Sequence, residues 1–287
     1  MPTLSSLFDR AKGKTRRTLA RRLHRRMLDI ATPRALVSFT FDDAPRTAFG
    51  AGAEILEAHG VRGTYFVSLG LMGTTTEVGP IGKPRDLVQA FGRGHELGCH
   101  TFGHDDAWFT ERAVYVRSVD RNREALQELL PSQAFGSFAY PKSGAIAAVK
   151  PALAERFACC RAGGQTFNRG RVDLNLVSAC FIDRRATADM RFVADLIERN
   201  AEAGGWLVFA AHDISHTDWA FGCEPAFFSE VVRRAVESGS EVLPMSAACA
   251  RLHENGPTGS LSSASVISGP GATPGSGSDT ANGLPTR

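Results

Sequence analysis

Ala35-Leu36-Val37-Ser38-Phe39-Thr40-Phe41-Asp42-Asp43-Ala44-Pro45 is an apolar run that ends on two adjacent carboxylates and is stopped by a proline. It reads as a buried strand delivering two acids to its carboxyl end. Successive strand residues point to opposite faces. Asp42 and Asp43 can therefore take different jobs, one binding a metal and the other moving a proton. In isolation such a pair is more often an ion-paired turn, and the rest of the chain decides between the two.

Outward from this stretch, strand-like and helix-like segments alternate. Gly63–Ser68, Glu96–His100, Phe135–Tyr140, Phe157–Cys160, Arg171–Leu174, Leu176–Ile182, Trp206–Ala211 and Glu241–Leu243 have strand character. Gly50–Gly60, Arg85–Gly92, Glu111–Leu130, Ala145–Arg156, Ala188–Ala203, Glu224–Ser238 and Ser246–Leu252 have helical character. Trp206–Ala211 is apolar throughout, as a strand buried on both faces should be. Regular alternation argues for a parallel sheet covered by helices. About seven units predict an α/β fold closed, or nearly closed, into a barrel. Such barrels carry their sites on loops at the carboxyl ends of the strands. Asp42 and Asp43, His100 and His104, Tyr140-Pro141 and His212 all fall there.

The chain has 287 residues and a formal net charge of +3. Residues 1–34 hold ten Lys/Arg against two Asp/Glu, leaving 23 basic and 28 acidic residues in the rest, a net of −5. A mildly acidic body argues against nucleic acid as a partner. Leu19, Leu23, Met27 and Ile30 recur at helical spacing among arginines. The 1–33 arm is therefore expected to be a helix docked on its own domain through that stripe, with membrane-surface contact as the second reading. No segment is apolar enough to span a bilayer and no secretory pattern opens the chain, so a cytoplasmic location is expected. The six cysteines make no C-x-x-C pair and read as buried thiols. Residues 255–287 are rich in Gly, Ser and Pro, which predicts a disordered tail after a 34–254 domain.

His100-Thr101-Phe102-Gly103-His104 is an H-x-x-x-H, whose imidazoles share a face if the segment turns helically. Two imidazoles and a carboxylate make a common three-ligand metal site with one position left open. His95, on the same strand, points elsewhere. His212 closes an apolar strand and is placed to act as a general acid, because imidazole holds and releases protons near neutral pH.

Taken in order, Thr40-Phe41-Asp42-Asp43, Gly94 through His104, Phe138-Ala139-Tyr140-Pro141 and His212-Asp213 resemble the polysaccharide deacetylases with a NodB-homology domain, carbohydrate esterase family four. The resemblance covers roughly residues 34–254. It implies a distorted (β/α) barrel, of the glycoside hydrolase/deacetylase type, and metal-dependent removal of N-acetyl groups from N-acetylglucosamine-containing glycans such as chitooligosaccharides. Asp42 then looks like the general base, and His212 like the general acid. Asp43, His100 and His104 look like ligands of a divalent metal, usually zinc. Tyr140, Pro141, Lys142 and Trp108 fall at oxyanion and substrate positions, with Trp219 and Phe221 as further sugar-stacking candidates.

Three departures qualify the resemblance. Ala44 stands where the family usually has Gly. Ala139 stands where it has the Arg that partners the base, and Lys142 where it has a Tyr whose N–H binds the oxyanion. They leave room for a small non-sugar amide substrate, or for a non-catalytic glycan-binding protein on the same scaffold. Asp183 is an orienting partner for His212 or, as the commoner pattern, a surface pair with Arg184.

Overall fold

A computed structural model describes residues 4–184, 189–216 and 218–255. The expected tail lies outside them, apart from Asn255. In chain order the main elements are α1 (Leu4–Arg22), β1 (Leu36–Asp42), α2 (Ala53–Ala58), β2 (Thr64–Val67), α3 (Pro84–Gly92), β3 (Glu96–Cys99), α4 (Arg112–Leu129) and β4 (Ser137–Ala139). Then follow α5 (Lys150–Ala154), β5 (Cys159–Gly163), β6 (Val177–Phe181), α6 (Met190–Glu202), β7 (Trp206–Ala211), α7 (Pro225–Glu237), β8 (Glu241–Val242) and α8 (Met245–Asn255).

β1 through β7 pair in parallel, each with the next, and β7 returns to β1 over Trp206↔Leu36 to Ala211↔Phe41. The result is a closed seven-stranded barrel, as expected from the alternation; β8 adds a short flank to the start of β1. Strand alternation sets two layers. Phe39 and Phe41 face outward onto Phe228 of α7, at 5.7 and 5.6 Å between centroids. Leu36 faces inward and clusters with Trp206, Val208, Ala210 and Met245. Trp206 is fully buried, and its Nε1 donates to Ser38 Oγ at 3.0 Å. Truncating such a side chain costs about 3–5 kcal/mol. Gly98 leaves the lumen open where a Cβ would meet the Phe66 ring at 2.4 Å.

Two expectations change. Arg171–Asp173 is not a barrel strand; it pairs antiparallel with Met27–Asp29. The helix of the basic arm therefore stops at Arg22, and Met27 lies on a strand rather than on a helical stripe. The arm does dock, but not through Leu19 and Leu23, each 44% exposed. Gly13 and Ala20, two turns apart, face the domain and are buried. The ammonium of the fully buried Lys150 donates to Ala20 O (2.7 Å), Leu23 O (2.9 Å) and Asp173 Oδ2 (2.8 Å). A cation thus satisfies carbonyls at the negative end of α1. Arg26 adds donations to the carbonyls of Ala154, Phe157 and Ala158.

Candidate active site

Asp42 is the last residue of β1, in register with the inward-facing layer, and is 4% exposed. Asp43 follows with φ 59°, and Ala44 with φ 51°. Strand alternation alone would send the two carboxylates to opposite faces. The left-handed turn instead lets both line one cleft. Thr101, His104, Lys142 and Ser143 also take positive φ, from 53° to 59°. Left-handed non-glycine residues are strained, and strain of this kind gathers at functional sites. Here it sits on the three loops after β1, β3 and β4.

His100 and His104 are brought together by that loop geometry, not by a helical turn; their rings lie 5.0 Å apart. The Nε2 atoms lie 3.7 Å (His100) and 3.2 Å (His104) from Asp43 Oδ1. The ligand atoms of the three residues all fall within 4.8 Å of one another. His100 Nδ1 sits 2.8 Å from Ala139 O. A carbonyl only accepts, so Nδ1 carries the proton and the Nε2 lone pair faces Asp43. Burial holds the His100 imidazole down to about 4, so it stays neutral at physiological pH. Asp43 Oδ1 is buried and accepts no hydrogen bond among the described residues. One anionic oxygen and two imidazoles turned on a common point, with that oxygen otherwise unsatisfied, fit a divalent cation.

Asp42 is held differently. Nη2 of Arg161, itself 1% exposed, donates to Asp42 Oδ1. Burial pushes the Asp42 carboxyl up, but the guanidinium, with help from His100 and His212, outweighs it and brings the carboxyl below its ordinary 3.8. Arg161 lies on β5, on the inward face, and its guanidinium carbon is 5.1 Å from the Phe66 ring and 5.4 Å from that of Phe181. Its register partner on β4 is Ala139. The arginine missing from position 139 is thus supplied by the neighbouring strand, one rung across, and the small Ala139 side chain leaves space for it. A charged residue at an inward position of a strand was the available sequence signal.

His212 faces this pair across the cleft. Its Nδ1 lies 3.2 Å from Asp183 Oδ2, and Asp183 is fully buried. The surface-pair reading of Asp183 is therefore corrected: Arg184 pairs with Glu224 and Asp218. The His212 ring lies against Phe181 at 5.8 Å and Phe221 at 5.1 Å. His95 is structural; its Nδ1 accepts from Gly63 N–H at 3.0 Å while Nε2 meets Glu57 at 2.9 Å.

These groups share one cleft of about 380 Å³, lined by Asp42, Asp43, His100, His104, His212, Lys142, Ser143, Phe181, Phe221 and Glu77. Glu77, from the loop between β2 and α3, was not foreseen. Pro141 is buried and does not line the cleft. Tyr140 turns away, its hydroxyl 3.2 Å from Asn175 O. Trp108 does not line the cleft: Arg16 and Arg17 of α1 lie over its ring at 5.6 and 5.5 Å. Trp219 packs on Gly79, where a Cβ would meet it at 3.0 Å. Of the aromatic candidates, Phe221 is the one in the cleft.

Residues 29–156 match the polysaccharide deacetylase family profile. A probable peptidoglycan-N-acetylglucosamine deacetylase of Arthroderma benhamiae is 31% identical over 75 residues, which are 26% of this chain and 16% of that protein. The chain thus spans a small part of that relative. Among solved structures, the chitin deacetylase of Colletotrichum lindemuthianum aligns with a TM-score of 0.53 at 14% identity, over 76% of this chain and 89% of that one. Bacillus subtilis PdaA, a family 4 carbohydrate esterase, aligns with a TM-score of 0.53 at 14% identity, over 82% and 88%. At such identities the likeness speaks for the fold. The profile match ends before Arg161, Asp183 and His212, which the barrel itself brings to the site. Residues 29–156 thus match a polysaccharide deacetylase profile, within a chain whose (β/α)7 barrel resembles the fold of those solved structures.

Proposed function

We propose that this domain hydrolyses the acetamide of an N-acetylglucosamine-containing glycan, releasing acetate and leaving a free amine. One observation carries the reading: Asp43, His100 and His104 converge beside Asp42, with His212 opposite, in a single cleft. A divalent cation held by those three residues, zinc by its donor set, would supply Lewis acidity toward the acetamide carbonyl and a bound water of lowered pKa.

The remaining work falls to the chain. Asp42, ionised and fixed by Arg161, accepts the proton of the attacking water. The Lys142 backbone, on the strained loop, offers an N–H to the developing oxyanion. His212 is oriented by Asp183 through Nδ1, which leaves Nε2 to give a proton to the departing nitrogen. An amine leaves only when protonated, so the cleft needs an acid opposite its base. Phe181 and Phe221 offer apolar faces to a sugar ring. Arg161 beside Asp42 weighs against a non-catalytic reading, which rests on the altered motif at Ala139 and Lys142.

The test is acetate release from chitooligosaccharides with added zinc or cobalt. Activity is expected to vanish on chelation and in His104→Ala. Acetate release that survives both would overturn the mechanism, and turnover of small amides without any glycan turnover would overturn the substrate class.

A further inference from the structure

We propose that the outer face of α1, with the adjoining Arg169 and Arg171, is a docking surface for an anionic lipid bilayer. Between residues 12 and 28 there is no acidic residue, while Lys12, Lys14, Arg16, Arg21, Arg22 and Arg25 are all exposed. Arg169 and Arg171, 140 or more residues away in sequence, are exposed too and share a surface hollow with Arg21 and Arg25. The basic field is therefore assembled by the fold from two segments. Asp29 offsets part of it through Arg171, at 3.1 Å.

Charge alone would suit any polyanion. The apolar residues narrow the choice. Leu19 and Leu23, one turn apart, are each 44% exposed in the middle of the basic field. On the helix Leu19 shares a face with Lys12 and Arg16, and Leu23 follows just past the helix end, while Gly13 and Ala20 face the domain. Phosphodiesters of a nucleic acid offer nothing to two leucines. A bilayer interface takes both, the leucines entering among the acyl chains and the cations meeting headgroup phosphates. Residues 35–287 carry a net of −5, so the excess of positive charge lies in the arm.

The face is also held ready. Lys150 holds the end of α1 through the carbonyls of Ala20 and Leu23, and Arg26, just past the helix, donates to three more carbonyls of the domain, so binding need not order the arm first. The same end of α1 lies near the catalytic rim: Ser143 borders both the cleft and the hollow along Arg17, Ala20 and Arg21. The bound surface thus lies beside the cleft mouth. The docking proposal itself does not depend on the deacetylase reading.

The test is co-sedimentation of the full chain with vesicles of phosphatidylcholine alone, or with about one third phosphatidylglycerol, in about 0.1 M salt where charge acts over about 10 Å. Binding is expected only to the anionic vesicles. Arg21→Ala/Arg22→Ala/Arg25→Ala should weaken it on the order of 100-fold, at roughly fivefold per charge. Leu19→Glu/Leu23→Glu should weaken it further while leaving thermal unfolding unchanged, since these side chains are on the surface. Equal binding to neutral vesicles, or no loss in the arginine variant, would overturn the proposal. So would binding to duplex DNA that ignores the leucine change, with no binding to vesicles.

Discussion

Replacing Arg161 by methionine keeps most of the side-chain volume in the lumen and removes the guanidinium. Both partners of the pair are buried, at 1% and 4% exposure. Breaking such a pair by deleting one member costs about 3–5 kcal/mol, because the other charge is left buried without compensation. The sign follows from Asp42. In the native fold its carboxyl lies below 3.8, so the pair contributes stability that is fully present above that value and lost as the pH falls through the lowered one. Without Arg161, the largest opposition to burial is lost and the carboxyl moves upward. The stability gap between wild type and Arg161→Met is therefore widest near neutral pH and narrows toward acid. Urea unfolding from pH 3 to pH 8 measures it. Catalysis should respond in the same sense: kcat/KM for acetate release falls on the order of 100-fold at neutral pH, the scale of a general base, and partly recovers as the pH is raised. Adding Ala139→Arg returns a guanidinium from the neighbouring rung and should restore part of the loss. An acid limb that does not move, with a stability gap independent of pH, would refute the assignment of Arg161 as the positioning residue of the base.

Asp183→Asn should lower kcat about 10–100-fold with little change in KM, since it disturbs the hydrogen bond that orients His212 without touching substrate; steady-state kinetics separate the two, and an unchanged kcat would count against the role. Ala44→Gly should stabilise the protein by about 1 kcal/mol, raising Tm by about 2–4 °C, because Ala44 sits at φ 51° where only glycine is free of strain; calorimetry checks it. Lys150→Met should loosen α1, increasing hydrogen exchange over residues 13–23 well before the barrel strands, because the carbonyls of Ala20 and Leu23 lose their donor.

The barrel and the two halves of the candidate metal cluster were readable because they depend on local order. Apolar strands alternating with helical segments dictate the barrel, and the carboxyl end of a strand is a place that sequence can mark. What escaped depends on register. Arg161 reaches Asp42 only because β4 and β5 set it opposite Ala139, and no spacing in the chain encodes that rung. Asp183-Arg184 looks like a surface pair in sequence, and only the burial of Asp183 beside His212 distinguishes it. Leu19, Leu23 and Met27 fit a helical stripe, yet the partner that ends the helix, Lys150, is more than 120 residues away. His100 and His104 were paired correctly by spacing, but the turn that joins them relies on Thr101 and His104 in left-handed conformations that the sequence does not announce.

Zinc titration of the metal-stripped protein, followed by calorimetry, asks whether Asp43, His100 and His104 act together. One zinc per chain is expected for the wild type, with binding lost in Asp43→Asn and in His104→Ala and retained in Arg161→Met. Zinc bound as tightly by the first two variants as by the wild type would contradict a shared cation at this cleft.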